Sequence, residues 1–378
     1  MKFSCRTIDL LHAIQLVSRA IGGQQALPIL GNILIQVEGK RCTVSATDLE
    51  LSITTSFESK IENEGSITVP AKAIINFAQY TRDSEVLLET VEGTQLRCSS
   101  AKSKVLLAGE AATEYPNIAA VERQTSFTLP TSSLSQALHY VTFAAAKTSL
   151  RPVLSGVYVR STKGEVTFVA TDSYRLSEYS IKVDLKDEVS CIIPVKILDE
   201  LKAILVGMKD KKTSDEEKKE ESRVEVTLSA QQIGVQIGST QLLSRLIEGK
   251  FPDYKQIVPK DEIVAIPLPL DEFHTTIKRM HYFSREVNNT LTFHYQRGNV
   301  NMITPETQAG RDEADLPVDG KGGEAKIALS SAYLLDFLGH VHGGGVTMHI
   351  ADSMRPAVFT LDEEPTLLHL IMPLRLQG

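Results

Sequence analysis

Three small groups of side chains are candidates for catalysis or metal binding. Thr-Asp occurs as Thr47-Asp48 and again as Thr171-Asp172, and paired carboxylates are the minimal equipment for acid–base work. No partner base accompanies either Asp, and the two sit at equivalent positions of a duplicated segment. That pattern predicts turn-forming Asp residues. The run His342-Gly343-Gly344-Gly345 has the composition of an oxyanion loop. Such chemistry requires a nucleophilic Ser in G-x-S-x-G, and the Gly pairs with that spacing centre instead on Gln236 and Val341. A Gly-rich turn between helix and strand is expected there. His340 and His342 lack further ligands at zinc spacing, and there is no C-x-x-C. No G-x-x-x-x-G-K-[ST] occurs, and no G-x-G-x-x-G follows a strand. No catalytic residue, metal or cofactor is expected, and the protein is not read as an enzyme.

What must position these residues is a repeated unit. Phe3 falls on Phe127 at a shift of 124, and the same shift carries Leu10 to Leu134, Ala13 to Ala137 and Val17 to Val141. It also carries Pro28 and Leu30 to Pro152 and Leu154, Ala46-Thr47-Asp48 to Ala170-Thr171-Asp172, and Pro70 with Lys72 to Pro194 with Lys196. Tyr115-Pro116 matches Phe251-Pro252 at a shift of 136, so twelve residues have entered the second copy. They belong to residues 209–221, KDKKTSDEEKKEE, which contain no apolar residue and read as a solvated loop or helix extension. A fainter third copy is marked by Tyr333-Leu334-Leu335-Asp336, which echoes Lys196-Ile197-Leu198-Asp199. Domains are expected at 1–125, 126–263 and 264–378, each the size of one compact unit.

Within a copy, Leu10, Ala13, Ile14, Val17 and Ile21 follow helical spacing. Asp9, Ser133 and Asp271 are placed to cap such helices. The runs ILIQVEGKRCTVSATD, VYVRSTKGEVTFVATD and LTFHYQRGNVNMIT each read as a hairpin about a Gly turn. A second helix is expected after Pro70, Pro194 and near Ser331. Two helices on antiparallel strands make each copy an α+β domain.

The 378 residues carry 40 Lys plus Arg against 47 Asp plus Glu, a net charge of −7. That excludes a generally basic nucleic-acid coat but not a locally basic surface. The N-terminal stretch is interrupted by Arg6, Asp9 and His12, so no signal peptide or membrane span is read. Four scattered cysteines, Cys5, Cys42, Cys98 and Cys191, fit reduced thiols in a cytoplasm.

Four segments carry a resemblance: LPILGNILIQV (27–37), ATDSYRLSEY (170–179), EGKFPDYKQIVP (248–259) and LIMPLRL (370–376). With them, a near-threefold chain lacking an active site closely resembles the β sliding clamp family of bacterial DNA polymerase III over its whole length. The resemblance implies a head-to-tail homodimer, a six-domain ring with helices lining the hole and strands forming the rim. It implies as partners a second copy and double-stranded DNA, held topologically and without sequence preference. It also implies the DNA polymerase III catalytic subunit, the clamp loader, other polymerases and repair proteins, bound through short linear peptides. The alternative from another class is an oligomeric scaffold that never meets DNA.

Carried over by position, the resemblance places Gln24, Lys72, Lys147, Thr148, Pro152, Val153, Lys196, Lys202, Lys278 and Arg279 on or near the DNA-facing wall. Gln24 stands where relatives have a DNA-touching Arg, which implies weaker direct contacts. The peptide groove comprises Leu154, Thr171, Ser173, Tyr174, Arg175, Leu176, Pro252, Gln256 and Ile257. Ser330, Tyr333, Met354, Leu370, Met372, Pro373, Leu374, Arg375 and Leu376 complete it, with Met372 and Leu374 expected to face the groove. The dimer edge sets Lys102 and Lys104 against Asp312, Glu313 and Asp315, with Val105 meeting Tyr282 and Phe283.

Overall fold

A computed structural model describes residues 1–375 except 24–26, 93, 119–120, 123, 149, 163, 184, 186–187, 212–222 and 262–263. The side chains of 208–211 and residues 376–378 also lie outside the description. Gln24, Leu376 and most of the charged run 209–221 therefore fall outside the described residues.

The three hairpins form where the alternating runs place them. Asn32–Glu38 pairs with Arg41–Thr47, Gly156–Thr162 with Glu165–Thr171, and Thr290–Gln296 with Asn299–Ile303. Gly39, Gly164 and Gly298 sit in their turns at φ +62°, +81° and +80°, the left-handed region where a Cβ is costly. Six α-helices accompany the strands among the described residues: α1 (Thr7–Ser18), α2 (Ala71–Tyr80), α3 (Thr131–Val141), α4 (Val195–Lys211), α5 (Leu270–Ser284) and α6 (Ser331–Leu338). In α1 the stripe Leu10, Ala13, Ile14 and Val17 is buried, and Ile21 lies beyond the helix end.

The expected caps are corrected. The N-cap positions of α1 and α5 are Arg6 and Pro269, neither with a side-chain cap, so Asp9 and Asp271 lie inside the first turns. There a carboxylate meets the positive end of the helix dipole instead of closing a hydrogen bond. Asp9 also binds Arg6, Nε to Oδ2 at 2.6 Å. Ser133 likewise falls inside the first turn of α3.

The described strands form four sheets, all antiparallel. One has the order Lys60–Asn63, Lys2–Arg6, Glu85–Val91, Gln95–Ser99, Lys104–Ala108. The second, of eight strands, runs Thr125–Pro130, Arg223–Leu228, Gln232–Ile237, Thr240–Arg245, Leu51–Glu58, Arg41–Thr47, Asn32–Glu38, Gly65–Pro70. The third, of nine, runs Ser190–Pro194, Gly156–Thr162, Glu165–Thr171, Arg175–Lys182, Glu364–Ile371, Ala357–Leu361, Val346–Ile350, Val264–Leu268, Lys321–Gly322. The fourth runs Glu313–Pro317, Asn299–Ile303, Thr290–Gln296, Ala325–Ser330.

Repeats and compact units are different partitions of the chain. One unit holds residues 1–131 and 203–246, the other 132–202 and 247–378. The central copy gives strands 125–130 and 223–245 to the eight-stranded sheet, and strands 156–194 to the nine-stranded one. The first unit is built around Phe3, Leu10, Ile14, Ile35 and Ile53, the second around Phe273, Phe293, Phe337 and Phe359, all fully buried. Each such side chain contributes about 1.5–3 kcal/mol of burial energy.

Candidate functional site

The Thr-Asp pairs are turns, as their spacing predicts. Asp48 Oδ1 accepts from the backbone N–H of Glu50 and Leu51 at 3.0 and 2.8 Å, and Thr47 Oγ1 accepts from Leu49 N while donating to Leu51 O. Asp172 Oδ1 accepts from Tyr174 and Arg175 N at 2.9 Å each, and Thr171 Oγ1 bonds Ser173 N and Arg175 O in the same way. Leu49 and Ser173, equivalent by the shift of 124, share φ values of +77° and +79°. A third such turn went unread in the sequence. Asp352 Oδ1 accepts from Met354 and Arg355 N at 2.8 and 2.9 Å. Its signal was present, since Ala351-Asp352-Ser353-Met354-Arg355 parallels Ala170-Thr171-Asp172-Ser173-Tyr174-Arg175 with one residue missing.

Strand register brings two of these turns to the chain's end. Arg175 and Ala357 both lie opposite Ile371, so turn 172–174, turn 351–356 and the tail 372–375 leave the nine-stranded sheet at one level. The tail is held by backbone bonds, Met372 N to Tyr174 O and Leu374 N to Ala328 O, 2.8 Å each. Around it Tyr174 is 60% exposed and Met354 81%, Ile257, Pro252, Gln256, Ser173 and Arg375 are exposed, and Tyr333, Met372, Pro373 and Leu374 are half-buried. Gln256 Nε2 donates to Asp253 Oδ2 at 2.8 Å.

Six expected groove residues lie beneath this surface instead of on it. Leu176 and Leu370 belong to a buried cluster with Val169, Ile192, Phe251 and Tyr254, and Leu154 is buried too. Thr171 is consumed by its turn. Ser330 is the N-cap of α6, its Oγ accepting from Tyr333 N at 3.5 Å. Arg175 is 5% exposed, with Nε on Asp172, Nη1 on Asp336 and Nη2 on the carbonyl of Phe143. Apolar contact placed the first three inside, local backbone demands placed Thr171 and Ser330, and acceptors from three elements hold Arg175.

Among the expected wall residues, Lys72 on α2, Lys196 on α4 and Lys278 on α5 are exposed. Lys147, Thr148 and Pro152 are exposed on the segment after the 3-10 turn Thr142–Ala144. Two others are less exposed. Val153 is half-buried against the Leu176 cluster, where a Cβ on Gly249 (φ +130°) would meet its Cγ1 at 2.7 Å. Lys202 is half-buried, and burial lowers its ammonium pKa. It stands near His139 and His340, whose pKa values burial lowers, with its charge adding a smaller share. Arg279 is engaged by Asp312, Nε to Oδ2 at 2.8 Å and Nη2 to Oδ1 at 3.1 Å.

That same pair gives Asp312, expected at the dimer edge, a cation within its own chain. Strand Lys104–Ala108 is a sheet edge with Lys104, Val105 and Leu106 exposed, and Lys102 is exposed just before it. Strand Glu313–Pro317 is likewise an edge, with Glu313 and Asp315 exposed. Hydrogen bonds from Asn299 and Asn301 hold the Asp315 carboxyl below its usual range. Tyr282 is exposed at the end of α5, edge-on to Phe283 at 5.3 Å.

His340 and His342 are joined by His139 of α3, with ring centroids 4.8 and 5.5 Å from it. His139 Nε2 meets His340 O at 2.8 Å. The rings pack without converging, and among the described residues no group of three or more His, Cys, Asp or Glu is arranged to hold a metal. Cys5, Cys42 and Cys98 are buried, and burial pushes the Cys5, Cys98 and Cys191 thiols up to about 12. No helix among the described residues is long and apolar enough to cross a membrane.

Three family profiles match in succession. The DNA polymerase III beta subunit N-terminal domain matches residues 1–119, its central domain 128–253 and its C-terminal domain 255–375. The chain is 26% identical to the beta sliding clamp of Synechocystis sp. and 26% identical to that of Haemophilus influenzae, with full coverage of both chains in each case. Among solved structures, the DNA polymerase sliding clamp of Bacillus subtilis superposes with a TM-score of 0.92 at 25% identity. The Pseudomonas aeruginosa clamp bound to griselimycin gives 0.91 at 25% identity. Both cover each chain completely.

Proposed function

The chain belongs to the DNA polymerase III beta subunit family, the beta sliding clamps, and from that premise we propose that two copies join head to tail in a closed ring around duplex DNA. The ring tethers the replicative polymerase, the clamp loader and other replication and repair proteins, and has no catalysis of its own. It works in the cytoplasm, on the chromosome. The succession of three family domains, matched over residues 1–119, 128–253 and 255–375, carries this reading. Residues 1–125, 126–263 and 264–378 are its three clamp domains. Closed rings arise from heterologous contacts whose rotation closes, and the open edges 104–108 and 313–317 are suited to pair between copies, each supplying free backbone donors and acceptors. Val105 and Leu106 offer apolar surface there, and Tyr282 with Phe283 the complement.

A protein of net charge −7 suits this task because topology, not phosphate affinity, holds the DNA. The exposed Lys72, Lys147, Lys196 and Lys278 supply the local positive charge of the wall. The surface around the tail, with Tyr174, Tyr333, Met354, Ile257, Met372 and Leu374, receives the partner peptides. Flexible Met and mixed aromatic surface suit one groove that serves several sequences. The test is retention on DNA after loading by a clamp loader. On nicked circles the protein should stay bound at high salt, where phosphate contacts are screened, and linearising the circle should release it. Release from intact circles at the same salt concentration would point to the non-DNA scaffold.

A further inference from the structure

Only one of the three Asp turns carries a buried cation. The residue three after the Asp is Leu51 in the first copy and Arg355 in the third. Arg355 reaches only its own turn, with Nε 2.7 Å from Asp352 Oδ2, and its side chain is 43% exposed. In the second copy Arg175 divides its fork among three elements. Its Nε lies 3.1 Å from Asp172 Oδ2 in the turn, its Nη1 2.7 Å from Asp336 Oδ2 on α6, and its Nη2 2.9 Å from the Phe143 carbonyl after α3. The guanidinium also stands 4.7 Å from the centroid of the Tyr333 ring and 5.4 Å from that of Phe143. Tyr333 in turn lies nearly parallel to Tyr174, at 6.4 Å and 19°.

We propose that Arg175 is a positioning residue of the partner groove: it pins α6 to the 172–174 turn from below, so that Tyr333 and Tyr174 present one fixed face to the bound peptide. This rests on the groove reading given above. A buried guanidinium is costly to desolvate and is a weak source of stability even when well paired. Here its partner Asp336 is 53% exposed, so that carboxylate has water as an alternative while the cation does not. What the planar fork supplies is geometry, since three fixed donor directions and a stacked face determine where α6 and the turn stand. Side chains ordered before the peptide arrives need not be ordered by it, and affinity rises accordingly.

The test is a pair of double-mutant cycles on the full-length dimer. Binding of a fluorescein-labelled clamp-binding peptide from the DNA polymerase III catalytic subunit is read by anisotropy, alongside thermal midpoints. Arg175→Lys keeps the charge but loses the fork, and should weaken binding on the order of tenfold. In a Tyr333→Ala background the same change should cost little, because its intermediary is gone. Asp336→Asn, cycled in the same way, should weaken binding by about threefold with an unchanged thermal midpoint; it decides the matter if Arg175→Lys does not fold. Wild-type affinity in Asp336→Asn, or losses that add independently of Tyr333, would overturn the positioning role. A wild-type protein that ignores the peptide would overturn the groove reading, and this role with it.

Discussion

At the scale of single residues, the structure separates the buried side chains of the proposed groove from the exposed ones. Leu176 is fully buried with Leu370 and Phe251, so Leu176→Ala should cost about 2–5 kcal/mol of folding stability. Tyr174→Ala and Met354→Ala remove exposed surface. They should leave denaturant midpoints nearly unchanged while costing on the order of 1–3 kcal/mol of peptide affinity. Chemical denaturation and calorimetric titration of the three variants would show the split, and a stable Leu176→Ala would contradict it. The histidines set a pH dependence. Burial holds His139 down to about 4, helped by the charges of His340, Lys202 and His342 and opposed by its bond to His340 O. Burial likewise lowers His340, against the pull of Asp336, and lowers His369 well below its ordinary value, with Arg175 adding to the effect. The unfolded chain therefore takes up protons first as pH falls. The stability these neutral rings contribute is complete above about pH 6.5 and is lost toward about pH 4. Thermal midpoints should fall across that window, less steeply in His139→Phe, and parallel curves for the two proteins would refute the assignment.

At the scale of elements, the tail is the most lightly held segment of the proposed groove. The last core strand ends at Ile371, and beyond it, among the described residues, two backbone bonds and the half-buried side chains of 372–374 tie the tail down. Removing residues 372–378 should therefore abolish peptide binding in calorimetry while the truncated protein still sediments as a dimer. Retained affinity would place the partner site elsewhere. Much at this scale was legible. Gly39, Gly164 and Gly298 mark three hairpin turns between alternating runs, and the shift of 124 foretells that Pro28 and Pro152 open equivalent 3-10 turns over buried Leu30 and Leu154. Strand partners across copies were not legible, because period-2 alternation says which face is buried but not which edge is shared. The depth of Arg175 was hidden for a similar reason. Asp172 is its sequence neighbour, but Asp336 and Phe143 arrive only through the fold.

At the scale of the molecule, the dimer contact should depend on apolar groups, since exposed ion pairs contribute only about 0–1 kcal/mol each and Asp312 is already engaged by Arg279. Tyr282→Ala combined with Phe283→Ala should give monomers in sedimentation at nanomolar protein, and a fully dimeric double variant would remove these rings from the interface. The shared sheets carry a further consequence. In the first unit the copies are stitched by Thr240–Ser244 against Leu51–Thr55, and in the second by Arg175–Glu178 against Leu368–Ile371. Edges 104–108 and 313–317, once paired between copies, would make joints of the same antiparallel kind and similar length. What distinguishes them is tethering. A stitch within the chain that opens by fluctuation finds its partner again at an effective concentration on the order of millimolar. A joint between chains must wait for the second copy at whatever concentration the solution holds. In the proposed ring, dilution would thus leave four of the six joints untouched and weaken the other two, and a gap lasting long enough for DNA to pass would form at those two.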